Sequence, residues 1–261
     1  VIEGSETISL SAATAQNVTA VTGTGTITDG AVPTISLSGP IDVNEAAGTI
    51  TYTVSLSSAS PASVSVNYGT ANGTAIAGSD FAASTGTLTF APGETTKTFT
   101  VTINNDAVFE GAENFQVNLS SPSNATIAAG SVTTTIHDDG TGNGGGDDDR
   151  LVVTSVSSPT VGEGGNLVFT VNLSGTSTTA TNVSVTPSSG TATLGTDTGA
   201  QEYSTDGVNW SPLTGSVSVP AGSSSFQVRI ATINDGVIEG SETISLSAAT
   251  AQNVTAVTGT G

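Results

Sequence analysis

From Thr95 to Ile103 the chain reads TTKTFTVTI, which puts Phe99, Val101 and Ile103 on one face of an extended strand and small polar residues on the other. The same period of two recurs in Tyr52-Val54-Leu56, Phe115-Val117-Leu119, Phe169-Val171-Leu173 and Phe226-Val228-Ile230. Such alternation belongs to strands with one buried face, so these residues are read as core and not as a ligand box. No comparable stretch has helical spacing. The apolar runs return roughly every 8–14 residues, punctuated by Gly, Pro, Asn, Asp and Ser, which predicts an all-β chain of antiparallel sandwiches in tandem, end to end. Periodicity also argues against disorder, which 32 Gly and many Ser and Thr would otherwise raise.

Repeats set the organisation. Residues 1–25 return letter for letter as residues 237–261. A weaker repeat aligns NDAVFEGAENFQVNLS (105–120) with NDGVIEGSETISLS (234–247), and the segment from Pro40 with the segment from Pro159. TTTIHDDG (133–140) matches TGTITDG (24–30). The expected organisation is a two-strand fragment of a preceding repeat at 1–29, a sandwich at 30–139, and a Gly/Asp-rich linker at 140–150. A related sandwich at 151–261 then lacks its last strand segment. The expectation is a cut from a longer repeating array, with split ends that complement one another head to tail between molecules. Neighbouring repeats of the same chain are the other expected partners.

The charge balance excludes several partners. Against 22 Asp and Glu the chain has 3 Lys and Arg, a net charge of −19, so it offers no cationic footprint for nucleic acid or anionic membrane. No apolar run of about 18 residues is present, so no membrane insertion is expected in this segment. Cys is absent, so a secreted chain would need another source of rigidity, and carboxylates on a metal are one such source. A solubilising acidic surface is the alternative, and only the placement of the carboxylates separates the two.

That placement is phased. Asp106 follows the Phe99–Ile103 strand, Glu110 precedes the Phe115–Leu119 strand, Glu45 lies in an early turn, and Asp138 and Asp139 end the last strand. Strands running up and down bring such groups to one pole. An all-oxygen donor set suits Ca²⁺, which takes 6–8 ligands at about 2.3–2.6 Å. The second repeat has Glu163, Asp235 and Glu239 at the same phase; Glu3 is the N-terminal copy of Glu239, and Asp29 marks the terminal carboxylate. Asp147, Asp148 and Asp149 are candidates for stiffening the linker, a charged extended spacer being the alternative. Glu113 and Glu242 stand nearer the strand body and are weaker candidates.

The run EGAENFQVNLS, the closing strand TTTIHDD, and Ser79-Asp80-Phe81 followed by GTLTFAPGETTKTFTVTI together resemble the Calx-β domain over nearly the whole first repeat. In the second repeat an insertion, TDTGAQEYSTDGVNWSPLTG (196–215), is similar to segments of bacterial immunoglobulin-like adhesin repeats. The resemblance implies calcium-binding β-sandwiches with ligands at Glu45, Asp80, Asp106, Glu110, Asp138 and Asp139, matched by Glu163, Asp235 and Glu239. The counterpart of Asp80 is Asp197, Glu202 or Asp206. Alternating arrays of this kind resemble the extender regions of giant bacterial surface adhesins of the RTX or Lap type. The functional expectation is therefore a non-enzymatic, extracellular extender, rigidified by Ca²⁺, for surface attachment and biofilm formation. A glycan- or protein-binding adhesion module and an intracellular Ca²⁺ sensor are the alternatives.

Other motifs carry less. GxGxxG at 140–145 is followed by three Asp and no helix, which opposes phosphate binding. His137 is the one histidine and sits in a strand, so no catalytic triad is assembled. Trp210 and Tyr203 are read as packing, and the Thr arrays as β-propensity in preference to ice binding.

Overall fold

The computed structural model describes residues 6–16, 19–27, 31–238 and 240–261. Among them there is no α-helix; a single 3₁₀ turn spans Glu45–Ala47. By compactness the chain divides into one unit of residues 1–43, 47–104 and 113–136, and another of 44–46, 105–112 and 137–261. At the start, β1 (Glu6–Ala12) and β2 (Val21–Ile27) form an antiparallel hairpin.

The first sandwich is built from β3 (Thr34–Ser38), β4 (Asp42–Asn44), β5 (Thr49–Leu56), β6 (Val64–Asn72), β7 (Thr85–Phe90), β8 (Thr96–Thr102), β10 (Glu113–Ser123), β11 (Thr126–Ala129) and β12 (Ser131–His137), with the short β9 (Val108–Phe109) in the loop before β10. One sheet has the order β4-β12-β10-β6-β7 and the other β11-β3-β5-β8. The alternation seen in the sequence sorts the faces. Tyr52 and Val54 of β5, Val101 of β8, Val64 of β6, and Phe115 and Val117 of β10 are fully buried or nearly so. The outward positions of β5 and β8 meet as hydroxyl pairs, Thr51 opposite Thr100 and Thr53 opposite Thr98. Phe81 stacks on Phe115 at 4.3 Å between centroids, and Tyr68 on Phe99 at 3.9 Å. One polar chain crosses this core. The Thr134 hydroxyl donates to the Pro40 carbonyl (2.6 Å), which leaves its oxygen to accept from the Tyr52 hydroxyl (2.5 Å).

The second sandwich comprises β13 (Val153–Val156), β14 (Asn166–Leu173), β15 (Thr176–Ser177), β16 (Thr181–Ser189), β17 (Thr198–Ser204), β18 (Ser211–Pro212), β19 (Ser216–Val219), β20 (Ser225–Thr232), β21 (Ile244–Ala249) and β22 (Val257–Thr260). Its sheets run β13-β14-β20-β17-β18 and β19-β16-β21-β22. The 196–215 insertion supplies β17 and β18, which extend the first of these sheets beside β20. Phe169, Val171, Val228, Ile230 and Leu246 fill the core with no exposed surface. β9 and β15 pair in parallel, Val108 with Thr176 and Phe109 with Ser177.

The two copies of the repeated string pair within themselves in one register: Leu10 opposite Gly23 and Ala12 opposite Val21, as Leu246 is opposite Gly259 and Ala248 opposite Val257. Their surroundings differ, because β21 is also paired along β16.

Removing a fully buried, stacked ring should cost far more than trimming the outward face. Phe115→Ala is expected to lower stability by about 3–5 kcal/mol, and Thr100→Ala by no more than about 0.5 kcal/mol, both read from urea unfolding curves.

Candidate metal centre

The site grows from the turn Asn44-Glu45-Ala46. Asn44 is fully buried, and its side-chain amide nitrogen donates to the carbonyls of His137 (3.2 Å), Thr141 (3.0 Å) and Asp147 (3.0 Å). Its side-chain oxygen accepts from the amides of Ala46 and Asp147. The 140–149 segment is thereby wrapped around one carboxamide, and it closes on itself through Gly140 N–H to the Asp147 carbonyl and Asp149 N–H to the Asp138 carbonyl. At Gly145 the chain approaches so closely that a Cβ would stand 2.4 Å from the Asn44 oxygen, so only glycine fits. Composition reads this stretch as a linker whose Asp residues are candidates for stiffening it; its backbone is folded onto Asn44. Sequence reasoning does not single out Asn44, although its position directly before Glu45 is an available signal.

This loop lowers carboxylates into a shielded place. Glu45 is 6% exposed; one oxygen accepts from the Asp106 amide (3.0 Å), and the other is buried without a partner. Asp138 is buried and accepts from the amides of Glu110 (2.6 Å) and Gly111 (3.1 Å). Asp149 also has one buried oxygen with no partner. Burial, followed by the charges of Asp138, Asp106 and Asp149, raises Glu45 from 4.5 to about 7, even against the hydrogen bond from Asp106. Asp138 and Asp149 are raised too, both chiefly by desolvation and then by neighbouring carboxylates. Asp80, Glu110 and Glu113 each offer a carboxylate oxygen, and these three atoms lie within 4.8 Å of one another.

Two buried oxygens without donors, in an all-carboxylate setting, suit a hard cation such as Ca²⁺. Two of the expected ligands make side-chain contacts of their own. Asp148 makes a two-pronged ion pair with Arg150 (2.8 and 2.7 Å), and Asp139 caps Thr141 through its amide and hydroxyl. Both are held below the usual carboxylate range by those contacts. Asp147 contributes backbone groups to the Asn44 network.

The second sandwich repeats the local motifs. Asp106 and Asp235 each accept the amide two residues on, from Val108 (2.7 Å) and Val237 (2.9 Å). Asp80 accepts from the Ile76 amide, donates its own N–H to the Ile76 carbonyl, and receives Asn104 N–H on its carbonyl. Asp197 makes the same three bonds with Thr193 and Ile233. That pattern identifies Asp197 as the counterpart of Asp80. Glu202 is bound to Arg229 (2.6 Å), and Asp206 organises a turn through Val208 and Asn209. Glu163, Asp197, Asp235 and Glu242 line a cavity of about 520 Å³, with Gly261 on its rim. Glu163 is exposed, unlike Glu45. Glu3, Asp29 and Glu239 lie outside the described residues. The Arg229 guanidinium lies 4.3 Å from the centre of the Trp210 ring, and Tyr203 packs against the core of the second sandwich.

The raised Glu45 has a consequence for metal-free protein. The folded state keeps its proton above the pH at which the unfolded chain loses it, so stability is full below pH 4.5 and is lost as pH rises through about 7. In chelator, the urea midpoint is expected to fall over this window, and Glu45→Gln should flatten the fall.

A family model described as the Calx-beta domain matches residues 29–140 and again 147–260. Sodium/calcium exchanger 1 of dog (Canis lupus familiaris) and of rat (Rattus norvegicus) is 51% identical over 57 residues, 22% of this chain and 6% of the exchanger. The chain thus spans a small fraction of these relatives. Among solved structures, the apo-form Calx CBD1 domain shares 32% identity (TM-score 0.38), covering 41% of this chain and 98% of that one. The calcium binding domain CBD12 of CALX1.1 shares 21% (TM-score 0.39), covering 82% and 79%.

Proposed function

The chain belongs to the Calx-beta domain family, with two such domains in tandem, and from that premise we propose that it is a calcium-binding structural module: an extender segment of a secreted bacterial surface adhesin serving attachment and biofilm formation. The observation that carries the calcium reading is the pair of buried, donorless oxygens on Glu45 and Asp149 beside Asp138. A bound Ca²⁺ would supply the positive charge this setting lacks. Glu45, Asp106, Asp138 and Asp149 would hold it, together with the Asp80, Glu110 and Glu113 group. The Asn44 network positions the loop backbone, and the Glu110 and Gly111 amides orient Asp138. The extender part rests on the tandem repetition, the 25-residue string shared by 1–25 and 237–261, and the acidic, cysteine-free composition. A non-enzymatic role follows from the same reading.

A second reading, an intracellular regulatory sensor, is favoured by the exchanger likeness over 57 residues. Affinity separates the two. Extracellular modules bind calcium at about 10⁻⁴–10⁻³ M and sensors at about 10⁻⁷–10⁻⁵ M, so calorimetric titration is expected to return a value in the weaker range. A glycan-recognition role for the insertion has less behind it, because Trp210 is covered by Arg229.

Calcium at 100 times its dissociation constant stabilises by about 2.7 kcal/mol per site. The melting temperature should therefore rise in calcium and fall back in chelator, and scattering should show a narrower spread of lengths with calcium bound. Glu45→Gln with Asp138→Asn should remove the stabilisation contributed by the first sandwich. A melting curve indifferent to chelator would sink the calcium reading.

A further inference from the structure

Gly140 N–H donates to the Asp147 carbonyl and Asp149 N–H to the Asp138 carbonyl, both at 2.8 Å. Residues 138–140 and 147–149 thus form a short antiparallel ribbon in which Asp139 is bridged to Asp148. The two bonds bracket the Asp139–Asp148 pair without joining it, and in that register opposite side chains stand closest, with Cα atoms about 4.5 Å apart. Side chains alternate between the faces of a ribbon, which sends Asp138 and Asp149 to one face and Asp139 and Asp148 to the other. The first face is turned inward: Asp138 is 3% exposed, and Asp149 has a buried oxygen without a donor. The second is open to water, each of its carboxylates being 38% exposed.

Like charges directly opposite each other on paired strands repel, so each face needs a cation. Among the described residues no Lys or Arg pairs with Asp138 or Asp149. The outer pair has Arg150. Its Nε and Nη2 fork onto the two oxygens of Asp148 at 2.8 and 2.7 Å, and its own backbone amide donates to Asp148 as well (3.2 Å). The charges of both Asp148 and Asp139 act on this guanidinium. A fork of this kind engages both carboxylate oxygens at once. The chain's other two cations, Lys97 and Arg229, are paired elsewhere, with Glu94 and Glu202.

We propose that Arg150 is the built-in counter-ion of the ribbon's outer face: its guanidinium takes the place of a metal ion beside Asp148 and Asp139, and so confines Ca²⁺ to the inner face. The inference rests on the calcium reading above and adds to it a limit on how many ions this pole holds. A ribbon with carboxylates bare on both faces offers a hard cation two places, whereas one with a guanidinium fixed to Asp148 offers it one. The outer charges are matched whether or not calcium is present, so Arg150 also holds the ribbon's register in metal-free protein.

Calcium bound per chain is counted by equilibrium dialysis of the full chain at about 1 mM free calcium, in about 0.15 M salt to screen diffuse binding to the acidic surface. Arg150→Gln should bind one ion more than the unaltered chain. Asp148→Asn should bind the same number as the unaltered chain, and so should Arg150→Gln combined with Asp148→Asn. In chelator, Arg150→Gln should melt at a lower temperature, and adding Asp148→Asn should restore most of the loss. An unchanged ion count in Arg150→Gln overturns the proposal, as does melting in chelator that ignores the substitution. An ion lost in Asp148→Asn also overturns it, because Asp148 is then a ligand in spite of Arg150. An unaltered chain that binds no calcium overturns the calcium reading itself.

Discussion

A glutamate carboxylate buried among other carboxylates, with one of its oxygens given no donor, is the constraint around which the first sandwich's pole is arranged. Taking a charge out of water costs free energy unless a partner offsets it, and among the described residues no Lys or Arg is bonded to Glu45 to do so. The protein has two answers. Without metal, Glu45 keeps its proton up to about pH 7. A divalent cation bound there would match the charge and displace the proton. The Asn44 network makes the arrangement persist, because the loop that shields Glu45 is fastened to the residue directly before it.

Such a pole is tolerated because the cores do not depend on it. Each sandwich has its own closed apolar cluster, built from the alternating faces of its two sheets. Electrostatic strain concentrated in loops is compatible with a stable scaffold when packing elsewhere is complete. Tyr52 and Thr134 illustrate the difference: their hydroxyls are buried too, but every donor there has an acceptor.

The strands are legible in the sequence because period-two alternation is a direct readout of a half-buried sheet, and the aromatic and aliphatic positions of β5, β8, β10, β14 and β20 are where it shows. The phase of Asp106 and Asp235 is equally readable, since each is followed by the turn it caps. The counterpart of Asp80 is not: Asp197, Glu202 and Asp206 all fall in one insertion, and only backbone hydrogen bonds single out Asp197. The 140–149 loop is hidden for a related reason. Glycine- and aspartate-rich composition reads as a linker, and its contacts with one buried asparagine far away in sequence do not show in that composition. Asp148 escapes because its cation, Arg150, is a near neighbour that no phase argument considers.

The two acidic poles share letters without sharing physics. Glu45 follows Asn44, whereas Glu163 follows Gly162, which has no side chain with which to gather a covering loop. Glu45 is buried and its acidity is weakened; Glu163 is exposed, at the rim of an open cavity. Carboxylates repeated in phase therefore do not meet equal burial. Desolvation makes an unpaired carboxylate costly, and that cost is what a cation at the first pole would relieve. At the first pole a carboxamide beside the glutamate holds the loop that removes it from water.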